Sequence, residues 1–130
     1  MVLSSKIFIT TSMLITGMVS ACTGPSHKHQ VRFFTDVDGK GDAWTTTFQM
    51  CGNSPSDCMN VPNEYNDRFS SFTVLAGSRL NCRIYEHADC KGNSRMLDRQ
   101  AGEKPENFSL DMNDKMTSYY CKLQQDVPNK

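Results

Sequence analysis

Two six-residue stretches carry the chemistry of this chain. Asn66-Asp67-Arg68-Phe69-Ser70-Ser71 returns 47 residues later as Asn113-Asp114-Lys115-Met116-Thr117-Ser118. In each copy two side-chain oxygen donors come first, two variable residues follow, and two hydroxyls lead into a β-branched or aromatic run. Asn and Asp suit such a turn because their side chains bond nearby backbone amides and tolerate left-handed dihedrals. A carboxylate, a hydroxyl and carbonyls freed by the turn together make a donor set for a hard cation such as calcium. Two copies predict two calcium ions.

Other chemistries find less support. There is no Gly-x-Ser-x-Gly elbow and no His-Glu-x-x-His, and His87 is the sole histidine of the predicted folded region. The carboxylates lie in polar turns, where solvated surface explains them better than glycosidase work. We therefore expect no enzyme. Asp36-Val37-Asp38-Gly39-Lys40-Gly41-Asp42 puts Gly41 at the sixth position of an EF-hand loop, but Lys40 stands at a ligand position and Thr47 where a bidentate Glu is required. It reads as a hairpin. Cys51 and Cys58 bound a turn-rich loop without the Cys-x-x-Cys spacing or histidines of a zinc site, and a local Cys51–Cys58 disulfide is expected there. His27 and His29, on a polar stretch, are assigned no function.

The elements that must position the two turns repeat as well. Phe34-Thr35-Asp36 with Gly41 and Tyr85-Glu86-His87 with Gly92 share an aromatic followed by glycine seven residues on, at an offset of 51. Each half thus reads as strand, glycine-containing hairpin, long connection, polar turn and closing strand, a tandem unit that buries one shared core. Strands are expected at 31–34, 44–48, 71–76, 80–86, 94–97, 108–110 and 117–123. Within 80–86, Leu80, Cys82 and Ile84 alternate with Asn81, Arg83 and Tyr85, as in a half-buried strand. The stretch 98–107 is too rich in Gly, Pro and charge for a strand and is expected to cross the surface. The fold class is all-β, a sandwich of two Greek keys with about eight strands.

At these residues the chain resembles the βγ-crystallin family, in its calcium-binding microbial form, over residues 31–123. The run from Tyr85 to Ser94 is similar to the family's hairpin signature, with Cys90 in place of the usual aromatic; in the first half Phe34-Thr35 replaces Tyr-Glu and Gly39 takes the second aromatic position. The resemblance implies that calcium ligands cross between the halves. One site would take the carbonyl of Arg68 and hydroxyl of Ser70 with the carboxylate of Asp114. The other would take the carbonyl of Lys115 and hydroxyl of Thr117 with Asp67. Carbonyls of Asp36 and His87 would complete them, and Asn66, Asn113, Ser71 and Ser118 would hold the loops by hydrogen bonds. It also makes the strands of Cys82 and Cys121 neighbours, which implies their bridge and leaves Cys22 with Cys90. Disulfide-linked proteins resembling this fold serve as toxins or protease inhibitors; in that alternative role the loop 51–58 would engage an extracellular protein target.

Length and composition bound the setting. Residues 1–21 carry one Lys, Lys6, then an apolar stretch and a small-residue end at Val19-Ser20-Ala21, which reads as a secretory signal peptide. One domain follows, at 31–123, between a flexible arm at 22–30 and a disordered tail at 124–130. Val19-Ser20-Ala21-Cys22 also matches a bacterial lipobox, an alternative that would anchor the protein through Cys22. The even count of six cysteines favours three disulfides in an oxidising compartment, hence a secreted monomer. Without Lys6 the formal charge is one negative, with no basic stripe for nucleic acid and no further apolar run for an integral membrane role.

Overall fold

Alternation of apolar and polar side chains sorts the chain into strands, and the side on which each apolar residue falls decides which strands stack. In the computed structural model, which describes residues 26–52, 54–76 and 79–124, eight strands form two four-stranded antiparallel sheets. The strands are β1 (Ser26–Phe34), β2 (Ala43–Cys51), β3 (Met59–Asn60), β4 (Ser71–Ala76), β5 (Leu80–His87), β6 (Lys91–Arg99), β7 (Glu106–Asn107) and β8 (Ser118–Leu123). One sheet has the order β2-β1-β4-β7 and the other β3-β8-β5-β6. Read by halves, β1 to β4 and β5 to β8 follow one path, and each half lends its short third strand to the edge of the other's sheet. The all-β, two-Greek-key fold is the one expected.

The core lies between the sheets. Val31 and Phe33 from β1, Phe72 and Val74 from β4, Leu80, Cys82 and Ile84 from β5, and Tyr119 and Cys121 from β8 are buried. Phe33 is its centre, with ring centroids of Phe69, Phe72 and Tyr119 at 5.3, 5.3 and 4.9 Å. Phe69 and Met116, at matching positions of the two polar turns, are also fully buried, so each turn is pinned to the core by its fourth residue.

Several expectations require correction. The strand expected at 31–34 starts at Ser26, so residues 26–30 of the expected arm pair with β2 in unbroken register from Ser26↔Cys51 to Phe34↔Ala43. The cause is a period-2 pattern hidden by a histidine: His29 is buried in line with Val31 and Phe33 and stacks on Phe48 at 6.0 Å. It is a core residue, while Lys28 faces solvent. Residues 108–110 are not a strand. Pairing instead falls on Glu106–Asn107, beside Ser71 and Phe72, and Phe108 turns inward while Leu110 stands 96% exposed. The expected local bridge Cys51–Cys58 does not form, because Cys58 enters β3 at the edge of the other sheet and bonds Cys90 at a hairpin tip. That also excludes Cys22–Cys90. Cys82–Cys121 joins directly opposed residues of β5 and β8, as expected. Cys51 is disulfide-bonded too. The expected signal peptide at 1–21 and Cys22 lie outside the described residues, as does the expected tail apart from Gln124, whose N–H donates to the Arg79 carbonyl (3.2 Å).

Candidate metal centre

Each half builds its part of the site from a folded hairpin and a polar turn. In the first half, Asp38, Gly39 and Gly41 have φ of 59, 71 and 80°; in the second, Asp89, Cys90 and Gly92 have 60, 57 and 85°. These left-handed residues fold the hairpin tip back onto the sheet. The last must be glycine in the second half, since a Cβ on Gly92 would meet the His87 ring at 2.5 Å. The Ser71 hydroxyl donates to the Asp36 carbonyl (2.7 Å) and accepts from Gly39 N–H (3.0 Å). Ser118 repeats this, donating to the His87 carbonyl (2.5 Å) and accepting from Cys90 N–H (2.9 Å).

The polar turns then cross between halves. Asp67 and Asp114 are left-handed, with φ of 58 and 57°. Asp67 N–H donates to the Met116 carbonyl (3.2 Å) and Asp114 N–H to the Phe69 carbonyl (3.0 Å), so each turn is seated on the other. The Ser70 hydroxyl donates to Asp114 Oδ1 at 3.2 Å, and the Thr117 hydroxyl to Asp67 Oδ1 at 3.3 Å. Ser70 N–H bonds the Phe34 carbonyl and Thr117 N–H the Tyr85 carbonyl, which carries each hydroxyl to its own hairpin. Of the residues grouped by the resemblance, Ser70 is thus brought to Asp114 and Thr117 to Asp67, with the Asp36 and His87 carbonyls held by the next residues, Ser71 and Ser118.

Arg68 directs its guanidinium away, to the Glu64 carbonyl (2.9 Å), to Asp42 (3.5 Å) and over the Tyr65 ring, while its carbonyl remains in the turn. The two leading asparagines differ. Asn113 Nδ2 donates to Asp114 Oδ2 (3.3 Å), whereas Asn66 Oδ1 is buried with no hydrogen-bond partner. Upstream, the Ser109 hydroxyl, and then the Arg95 guanidinium, hold the Asp111 carboxyl below the usual carboxylate range, anchoring the turn that leads to Asn113.

The donor chemistry fits calcium. Two oxygens bound to one calcium at about 2.4 Å each can lie little more than 3 Å apart, which is the spacing of both hydroxyl–carboxylate pairs. The orphaned Asn66 oxygen next to Asp67 adds an acceptor that water or an ion would satisfy. Among the described residues no three His, Cys, Asp or Glu side chains converge, so either site would rest on one carboxylate with neutral oxygens.

Two asparagines that carry no local sequence signal also bond to the hairpins. Asn107 and Asp38 bond reciprocally, Asp38 N–H to Asn107 Oδ1 (2.7 Å) and Asn107 Nδ2 to Asp38 Oδ1 (2.9 Å). Asn60 and Asp89 do the same at 2.9 and 3.1 Å. The signal was present: Asn60 and Asn107 stand 47 apart, and Asp38 and Asp89 stand 51 apart, the offsets of the two repeats.

The sequence matches the family described as Beta/Gamma crystallin over residues 27–118. A solved structure from the evolution of the eye-lens beta-gamma-crystallin domain fold is similar with a TM-score of 0.54 at 16% identity, covering 78% of this chain and 100% of that one. A betagamma-crystallin domain from Clostridium beijerinckii is similar with a TM-score of 0.50 at 19% identity, covering 71% and 95%. No curated protein matches the sequence.

Proposed function

The chain belongs to the Beta/Gamma crystallin family, and from that membership we propose that it is a secreted calcium-binding module holding two ions that stabilise its fold. The observation that carries this reading is the pair of cross-half contacts, Ser70 with Asp114 and Thr117 with Asp67. One ion would be held by the carbonyls of Asp36 and Arg68, the Ser70 hydroxyl and the Asp114 carboxylate; the other by the carbonyls of His87 and Lys115, the Thr117 hydroxyl and Asp67. Each bound ion supplies an electrostatic link between the two halves. The protein's own part is to present neutral oxygens at fixed hairpins and one negative charge per site. We assign it no catalytic activity. Secretion is supported by the disulfides Cys58–Cys90 and Cys82–Cys121, which persist in oxidising compartments. Among the described residues no helix is long and apolar enough to cross a membrane.

One carboxylate per site gives weak affinity, a dissociation constant of roughly 10⁻⁵ to 10⁻³ M, as for extracellular modules. With about 1 mM calcium and a constant near 10⁻⁴ M, each independent site adds about 1.4 kcal/mol to stability. The protein should fold without the ion and melt several degrees higher with it. Titration calorimetry on wild type, Asp67→Ala and Asp114→Ala is the test. Asp67→Ala is expected to remove the Thr117 site and spare the Ser70 site, and Asp114→Ala the reverse. Wild type that shows neither heat nor a melting shift at millimolar calcium would leave the turns as self-capping loops and sink the proposal.

A further inference from the structure

We propose that Asn60 and Asn107 are positioning residues for the two calcium sites, and that the disulfide Cys58–Cys90 backs only one of them. The inference rests on the calcium reading. Each asparagine sits directly opposite the serine that ties down a hairpin carbonyl: Asn107 pairs in register with Ser71, and Asn60 with Ser118. The two side chains grip one hairpin at different points. Ser71 holds the Asp36 carbonyl and Gly39 N–H, while Asn107 holds Asp38 through its N–H and its carboxylate. Ser118 holds the His87 carbonyl and Cys90 N–H, while Asn60 holds Asp89 in the same two ways. Asp36 and His87 lie two residues before the gripped aspartates. Their carbonyl positions therefore depend on residues at φ near 60° that are held in place from a neighbouring strand.

Because β3 and β7 are exchanged between sheets, the grip comes from the opposite half. Asn107 lies in the second half and holds a first-half hairpin, and Asn60 does the converse. A site is thus completed across the halves twice, once by its carboxylate and once by its asparagine. The halves differ in one respect. Cys58 stands two residues before Asn60, and its bond to Cys90 fixes β3 to the hairpin covalently. The matching residues at the two repeat offsets are Pro105 and Gly39, which only pack; a Cβ on Gly39 would lie 2.7 Å from Pro105 Cγ. The Asp36 hairpin consequently depends on Asn107, whereas the His87 hairpin is held by Asn60 and a disulfide together. All four Asn and Asp side chains are exposed, so replacing either asparagine leaves the core untouched and the variants fold.

The experiment is a calcium titration followed by amide NMR, with Ser70 and Ser71 reporting one site and Thr117 and Ser118 the other. Removing a group that orients metal ligands weakens binding about 10- to 100-fold, so Asn107→Ala should lose that much at the Ser70 site and change the Thr117 site less than about twofold. Asn60→Ala should lose less at the Thr117 site, and reach a comparable loss only when Cys58→Ser and Cys90→Ser are added. In chelator, both single variants should melt as wild type does, while amide exchange at Asp38 accelerates in Asn107→Ala alone. Wild type that binds calcium while Asn107→Ala binds equally well, or weakens at both sites alike, would overturn the inference and leave the calcium reading standing. Equal losses in the two single variants would overturn the part given to the disulfide. Wild type silent to calcium would overturn both readings.

Discussion

A hydroxyl buried in an apolar core behaves differently from one on a polar turn, and Tyr119 is the clear case in this protein. Its ring is fully buried against Phe33, and burial pushes its phenol well above the usual tyrosine range. A folded-state pKa above the unfolded value of about 10 means that this contribution to stability is complete below about pH 10 and lost as the pH rises through the folded value. The phenolate absorbance of Tyr119, read as the difference between wild type and Tyr119→Phe, should therefore appear only together with unfolding. A Tyr119 signal that titrates reversibly near pH 10 in the folded protein would contradict the burial. The conserved-volume replacement should also flatten the alkaline limb of the stability curve. At this scale the polar turns were legible because their chemistry is unusual: Asn, Asp, Ser and Thr in fixed order, twice. Asn60 and Asn107 were not, since a lone asparagine in a two-residue strand has no distinguishing local pattern and becomes visible only when both repeat offsets are applied together.

Elements were legible where the period was clean and illegible where partners had to be chosen. Leu80, Cys82 and Ile84 mark β5 without help. The start of β1 is obscured because His29, polar by type, occupies an inward position beside Phe48. Disulfide pairing failed for a different reason. Cys51 and Cys58 are near in sequence, but the chain between them leaves one sheet for the other: Cys51 ends β2, while Cys58 precedes β3 and meets Cys90. Sequence separation does not report that change of sheet. Closed loops of 32 and 39 residues make Cys58–Cys90 and Cys82–Cys121 worth about 4 kcal/mol each on the chain-entropy account. Four of the six cysteines pair among themselves, so a non-reducing peptide map should recover Cys58 joined to Cys90 and Cys82 joined to Cys121. A peptide joining Cys51 to Cys58 would contradict this pairing.

At the scale of the molecule, the exchange of β3 and β7 makes neither half complete. β1, β2 and β4 need β7, and β5, β6 and β8 need β3. Two separately produced half-chains, divided between β4 and β5, should each be unfolded alone and should form a one-to-one complex on mixing. Tryptophan fluorescence would report it, because Trp44 packs against Phe69 from its own half and Tyr119 from the other. Oxidation should lock the complex, since Cys58 and Cys90 lie in different halves; two halves that fold independently would disprove the interdependence.

The same exchange has a consequence for ancestry and for dose. A half that lends a strand and requires one back is self-complementary about a two-fold axis, so a second copy of the same half could meet its need. Such a pair would be folded only when concentrated, because the stability of an obligate dimer falls with dilution. Joining the two copies in one polypeptide replaces a chance encounter by a tether whose effective concentration no longer depends on how much protein is present. Once joined, the copies are free to differ, as Cys90 and Gly39 do at matching positions of the two hairpins.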